Sequence, residues 1–166
     1  MNSTFQVLDA DSGKLFHSIF AKLLFISRRA RPDIQVPIGF LGTRVMCSTQ
    51  EDWIKLKGVL EYLKNTIEMP LTFEMADNSL VSWWVDASYG VYLDMKSQTG
   101  GIMSFGKSAS YSCSRKQKLN IISSTEAELV GTADILPMII WARMFLDAPG
   151  LYMKLSKLHQ DNKSTI

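Results

Sequence analysis

The fold that we predict for this chain depends on the stretch Ser82-Trp83-Trp84-Val85-Asp86-Ala87-Ser88. It belongs to an apolar run that begins at Leu80 and places Trp83 on one face of a strand and Trp84 on the other. Asp86 lies at the carboxyl end of this run. Because burying a carboxylate costs free energy unless it is paired, hydrogen-bonded or bound to a metal, Asp86 predicts such partners elsewhere in the fold.

The residues after Asp86 predict two more antiparallel strands, a helix and a last strand. The segment 87–100 has the features of a hairpin connection. The predicted strands span 101–105, 108–113 and 151 to about 161, and the predicted helix spans about 124–147. Its apolar members include Leu129, Ala133, Leu136, Ile140 and Met144, and Pro137 predicts a kink. This order predicts an α/β fold with a mixed sheet.

The first 65 residues predict a small helical unit. Residues 1–13 show little periodicity and predict an irregular lead-in. Helical spacing begins at Phe16 and stops before Pro32. A second helix is predicted over 34–46 and a third over about 50–65, where Ser48 and Glu51 have capping-box spacing. A short strand at 71–75 and a turn at 77–79 follow, so we divide the chain into domains 1–68 and 69–166.

Composition limits the class of protein. The 166 residues are 46% apolar and 20% charged, as in ordinary soluble globular proteins. The apolar run from Ile135 to Leu146 is shorter than the roughly 20 residues that a membrane span needs, so we expect no membrane segment. The N-terminus has no secretory signal pattern, which predicts an intracellular location in cytoplasm or nucleus. Cys47 and Cys113 lack the spacing of a zinc or disulfide framework.

Three acids are predicted to meet at one edge of the sheet. Three strands, a helix and a strand would bring together Asp86, a glutamate of the helix and Asp161. Such a cluster would hold two Mg²⁺ ions, since hard cations prefer oxygen ligands and two ions about 4 Å apart can assist phosphodiester hydrolysis.

The helix offers two glutamates, which lie about 200° apart around its axis. If Ser123 is the N-cap, Glu126 completes a capping box and Glu128 is free for metal. If Thr125 is the cap, the two roles are exchanged. The apolar periodicity leaves both alternatives open.

The motifs in combination resemble the ribonuclease H domain of copia-type retrotransposon polyproteins. They stand as Asp86-Ala87-Ser88, Lys96-Ser97-Gln98-Thr99-Gly100, Ser114-Arg115-Lys116-Gln117-Lys118, Ser123-Ser124-Thr125-Glu126-Ala127-Glu128 and Asp161-Asn162-Lys163-Ser164. Upstream, Lys22 to Ile26, Arg31 to Ile34, Trp53 and Val59 to Thr66 resemble the helical connector that follows the polymerase in the reverse transcriptases of this family.

The resemblance implies an RNA–DNA hybrid as substrate, Mg²⁺ or Mn²⁺ as cofactor, and the remainder of a retrotransposon polyprotein as partner. It implies Asp86, Glu128 and Asp161 as catalytic metal ligands. With a hybrid as substrate, we expect Arg115, Lys116 and Lys118 to contact backbone phosphates, and Ser88, Thr99 and Asn162 to hydrogen-bond the hybrid or to orient the metal ligands. The family also has a fourth acid downstream, so we expect a C-terminally incomplete domain. A non-catalytic interaction or structural module, and a nucleic-acid-binding module without hydrolysis, remain as alternatives.

Overall fold

A computed structural model describes residues 6–75, 80–151 and 155–163 of the chain. It divides into two compact units, Met1–Leu71 and Thr72–Ile166. The predicted turn at 77–79, part of the predicted last strand (152–154) and the motif residue Ser164 lie outside the described residues.

The first unit consists of three α-helices, joined by short 3₁₀ turns. The helices are α1 (Ala10–Arg29), α2 (Gln35–Gly42) and α3 (Gln50–Asn65), and the 3₁₀ turns are Pro32–Ile34 and Val45–Cys47. Their apolar faces form one core from Phe16, Phe20, Leu23, Ile34, Ile38, Leu41, Leu56 and Val59. Burial of this core stabilises helices that would be marginal alone.

Three details of this unit differ from the sequence prediction. The lead-in is helical from Ala10, because Asp9 accepts the backbone N–H of Ser12 and caps α1. The predicted second helix is two pieces separated at Thr43 and Arg44. The capping box of α3 lies one residue later than predicted, with Thr49 as N-cap and Asp52 as its partner.

The second unit contains a four-stranded mixed sheet and one long helix, which confirms the α/β class and the mixed sheet. The elements are β1 (Leu80–Ser88), β2 (Gln98–Ser104), β3 (Ala109–Lys116), α4 (Ser124–Asp147) and β4 (Leu155–His159). The sheet order is β3-β2-β1-β4; β4 runs parallel to β1 and the other pairs are antiparallel. The predicted strand at 71–75 is wrong, since only Met75 forms an isolated bridge, to Gly106.

Helix α4 packs on the sheet through a different face from the apolar stripe of the prediction. Its buried residues are Ala127, Glu128, Gly131, Ile135 and Ala142, whereas Leu129, Leu136, Ile140 and Met144 are exposed. Apolar residues surround the helix on all sides, so periodicity did not identify the buried face. Small residues permit the close packing: a Cβ on Gly101 of β2 would lie 2.6 Å from Ile135 Cδ1.

The exposed side of α4 is strongly apolar. Ala133, Leu136, Pro137, Ile140, Trp141 and Met144 line a shallow groove there. Among the described residues, α4 is long and apolar enough to cross a membrane by length and composition, with a mean hydropathy of 1.5 over an 18-residue stretch. A mostly buried helix of a protein core can meet the same criteria; α4 packs against β1 and β2, and 22% of its apolar stretch is buried.

Candidate metal centre

Two of the acids are positioned by the parallel strand pair. In the register of β1 and β4, Trp84 lies opposite His159, and their rings stack with centroids 4.9 Å apart. Asp86 lies two residues after Trp84, and Asp161 lies two residues after His159. Because parallel strands have the same direction, both acids come to the same end of the sheet.

The third acid comes from the second turn of α4. Ser123 is the N-cap and its hydroxyl accepts the backbone N–H of Glu126 at 3.1 Å. The Glu126 carboxylate accepts a hydrogen bond from the backbone N–H of Ile122 at 2.8 Å, so this carboxylate binds a backbone donor at the start of α4. Glu128 instead faces the sheet and is 7% exposed. Of the two alternatives for the helix cap, the structure has the one that leaves Glu128 for the acid cluster.

Asp86, Glu128 and Asp161 lie together. Each places a carboxylate oxygen within 4.8 Å of the oxygens of the other two. Glu128 is buried, whereas Asp86 and Asp161 are exposed, so the cluster opens to solvent on the side of the two aspartates. Among the described residues, no lysine, arginine or histidine forms a salt bridge with any of the three.

Both carboxylate oxygens of Glu128 accept a hydrogen bond from a residue next to another acid. The backbone N–H of Ala87 donates to Glu128 Oε1 at 3.1 Å. The side-chain Nε2 of Gln160 donates to Glu128 Oε2, also at 3.1 Å. These two donors fix the plane of the carboxylate.

The environment raises the pKa of Glu128 above its usual value. Burial is the largest cause, and the negative charges of Asp86 and Asp161 raise the pKa further. The hydrogen bonds from Gln160 and Ala87 act in the opposite direction. The three carboxylates lie close together and have no cationic partner among the described residues. The charged form of one of them, Glu128, is destabilised by its surroundings. These properties fit the oxygen-rich site that a divalent cation requires.

The three polar residues predicted to contact nucleic acid have different surroundings. Ser88 is exposed at the end of β1, and Asn162 is partly buried beside Asp161, with its backbone N–H bonded to Gln160 Oε1 at 3.2 Å. Thr99 is fully buried and accepts a hydrogen bond from Gln117 Nε2 at 2.9 Å. A hybrid has no access to the Thr99 hydroxyl in this structure.

The three basic residues predicted to contact phosphates lie at and after the end of β3. Arg115 is exposed and donates to the Tyr111 hydroxyl at 3.2 Å. Lys116 pairs with Asp94 at 2.7 Å, and Lys118 is exposed. A phosphate would therefore compete with Asp94 for Lys116, whereas Arg115 and Lys118 are exposed at the surface.

Sequence reasoning missed two glutamines that support the cluster. Gln160 contacts Glu128 directly. Gln117 is buried and donates to the Ala127 carbonyl at 2.9 Å, which connects the end of β3 to the first turns of α4. Gln117 belongs to the motif Ser114-Arg115-Lys116-Gln117-Lys118, and that was the available signal for it. For Gln160, the only signal in the sequence was its position beside Asp161.

Comparison with known proteins found relatives named after transposons. The chain is 29% identical over 152 residues to the retrovirus-related Pol polyprotein from transposon TNT 1-94 of Nicotiana tabacum, covering 91% of this chain. It is 29% identical over 121 residues, 72% of this chain, to a putative transposon Ty5-1 protein of Saccharomyces cerevisiae. It is also 25% identical over 125 residues, 75% of this chain, to secreted RxLR effector protein 161 of Plasmopara viticola.

The coverage of these relatives is uneven. The chain spans 11% of the tobacco polyprotein, 39% of the yeast protein and 88% of the Plasmopara protein. No family model matches the chain. No solved structure matches it significantly. The transposon relatives support the interpretation of this chain as part of a retrotransposon polyprotein.

Proposed function

We propose that this chain contains the ribonuclease H domain of a copia-type retrotransposon polyprotein, preceded by the helical connector that follows the polymerase. Its activity would be hydrolysis of the RNA strand of an RNA–DNA hybrid. The observation that most supports this proposal is the meeting of Asp86, Glu128 and Asp161 at one end of a mixed sheet, with oxygens within 4.8 Å. The names of the tobacco and yeast relatives support it as well.

The three acids would hold divalent cations, Mg²⁺ or alternatively Mn²⁺, through carboxylate oxygens. Two such cations would assist attack of water on the phosphodiester and departure of the leaving oxygen. Glu128, fixed by Ala87 and Gln160, would keep one orientation throughout. Asp86 and Asp161 are exposed, so a backbone phosphate would approach from their side.

The basic end of β3 would hold the hybrid by its backbone. Arg115 and Lys118 are exposed cations, and contacts from such residues to phosphates bind nucleic acid without reading its sequence. Ser88 and Asn162 lie close in sequence to Asp86 and Asp161 and would hydrogen-bond the strand near the site of cleavage. Lys116 would take part after release from Asp94.

The proposal is tested with an RNA–DNA hybrid labelled on either strand. In Mg²⁺ we expect the wild type, extended past Ile166 by the residues that follow it in its polyprotein, to cut the RNA strand and leave the DNA strand intact. Asp86→Asn should abolish cleavage, since it removes a ligand charge at the exposed side of the cluster. Glu126→Gln is the matched control, because Glu126 serves the helix cap, and it should cut like the wild type. Equal cleavage by wild type and Asp86→Asn would refute the proposal.

A second candidate is a module that binds a partner without catalysis. The relative from Plasmopara viticola, of which the chain spans 88%, is named as an effector and not as a polyprotein. This candidate predicts that neither Mg²⁺ nor Mn²⁺ binds. A calorimetric titration with either ion therefore separates the two candidates.

A further inference from the structure

Gln160 uses both ends of its side-chain amide. Its Nε2 donates to Glu128 Oε2 at 3.1 Å and to Thr132 Oγ1 at 3.4 Å. Its Oε1 accepts the backbone N–H of Asp161 at 2.8 Å and that of Asn162 at 3.2 Å. One side chain therefore joins the helix that provides Glu128 to the backbone that provides Asp161.

The partners of Gln160 determine the orientation of its amide. Reversing the amide would place Oε1 against Glu128 Oε2, which is also an acceptor. The NH₂ group would then face two backbone N–H donors. Since a carboxylate only accepts and a backbone N–H only donates, just one orientation satisfies these contacts.

The amide orients Glu128 without neutralising it. A lysine or arginine at this place would form an ion pair with Glu128 and reduce the negative charge that attracts a cation. The neutral amide of Gln160 occupies one lone-pair position on Oε2, and the N–H of Ala87 occupies one on Oε1. Each oxygen keeps a further lone pair for a ligand bond.

We propose that Gln160 is a positioning residue of the acid cluster. It holds Glu128 at a fixed distance from Asp161, so that the three carboxylates act as one divalent-cation site. This inference rests on the proposed function, because it assumes that the cluster binds a cation. Residues that orient metal ligands typically change metal affinity by about 10–100-fold when they are replaced.

The test uses Gln160→Met, which preserves side-chain length and removes both the donor and the acceptor. We expect calorimetric titration with MnCl₂ to give an affinity lower than wild type by about tenfold or more. In the metal-free protein, the backbone amides of Asp161 and Asn162 should exchange hydrogen faster. This second measurement shows directly whether the contacts of Gln160 exist in solution.

The matched control is the same substitution at another glutamine of the sheet. Gln98 bonds the side chains of Tyr92 and Ser114 and none of the acids, so Gln98→Met should keep wild-type Mn²⁺ affinity. Wild-type affinity in Gln160→Met, or an equal loss in Gln98→Met, would overturn the positioning role and leave the cation site standing. A wild type that binds no Mn²⁺ would overturn the proposed function and the role of Gln160 together.

Discussion

Ala87 donates its backbone N–H to Glu128 Oε1 at 3.1 Å. Ala87 directly follows Asp86 in β1, so this bond fastens the second turn of α4 to the strand that provides another acid. Gly131, nearly one helical turn after Glu128, packs beside the same strand, and a Cβ there would lie 3.4 Å from Ala87 Cβ, an ordinary van der Waals distance. The close packing of helix on sheet therefore determines where Glu128 lies.

Gly101→Val should destabilise the second unit. The added side chain would start 2.6 Å from Ile135 Cδ1 and 3.2 Å from Cys113 Sγ, so the Ile135 side chain, the helix or the sheet must shift. Overpacking of this kind costs about 1–3 kcal/mol, measured as a lower free energy of unfolding in urea. Ile135→Val removes the closest atom, so it should recover part of the stability in the double variant. Unchanged stability of Gly101→Val would contradict this close packing of α4 on β2.

Gln117→Leu should also lower the free energy of unfolding. It leaves the Thr99 hydroxyl and the Ala127 carbonyl without the hydrogen bonds that Gln117 Nε2 donates, both at 2.9 Å. Loss of a buried partner costs about 1–3 kcal/mol. Lys118→Leu, one residue away and exposed, is the control and should stay near wild type. Equal effects of the two substitutions would argue against this role of Gln117.

The raised pKa of Glu128 predicts a specific pH dependence in metal-free protein. A carboxyl whose pKa is higher in the folded than in the unfolded state destabilises the fold when ionised, so its cost is present above the raised pKa and disappears as pH falls below the unfolded value. Glu128→Gln removes this cost. Urea unfolding should show the variant to be more stable than wild type at neutral pH, with a difference that shrinks on acidification. A difference that grows on acidification would show that the pKa is lowered instead.

Lys118→Ala should weaken binding of RNA–DNA hybrid in a salt-dependent manner. Lys118 is exposed, and a lysine that no longer neutralises a phosphate reduces the slope of log affinity against log salt by about 0.9. Binding measured by fluorescence anisotropy in EDTA avoids cleavage. Lys55→Ala serves as the control, because Lys55 pairs with Glu51 on α3 and is not among the predicted contacts. Identical slopes for wild type and Lys118→Ala would remove Lys118 from the binding surface.

The parts of the fold with strong local signals were predictable. The apolar run before Asp86 predicted β1, and the helix over 124–147 agrees with α4. The spacing of Ser123 and Glu126 predicted Ser123 as one of two possible N-caps of α4, and Ser123 is the N-cap in the structure. Each of these depends on neighbours within a few residues, which is the information that periodicity and capping patterns contain.

The remaining features depend on tertiary contacts. The buried face of α4 was mistaken because exposed Leu136 and buried Ile135 are both apolar, and only the position of the sheet distinguishes them. Thr99 was predicted to hydrogen-bond nucleic acid, yet it is buried against Gln117, the residue that follows β3. Gln160 contacts an acid thirty-two positions away in sequence. No local pattern contains such pairings.

We propose that Asp86, Glu128 and Asp161 form one divalent-cation site. Calorimetric titration of Mn²⁺ into wild type, Asp86→Asn, Glu128→Gln, Asp161→Asn and Glu126→Gln tests it most directly. We predict binding to wild type and Glu126→Gln with equal affinity, and a large loss in each of the other three variants. Wild-type affinity in Glu128→Gln, or loss of binding in Glu126→Gln alone, would contradict the claim.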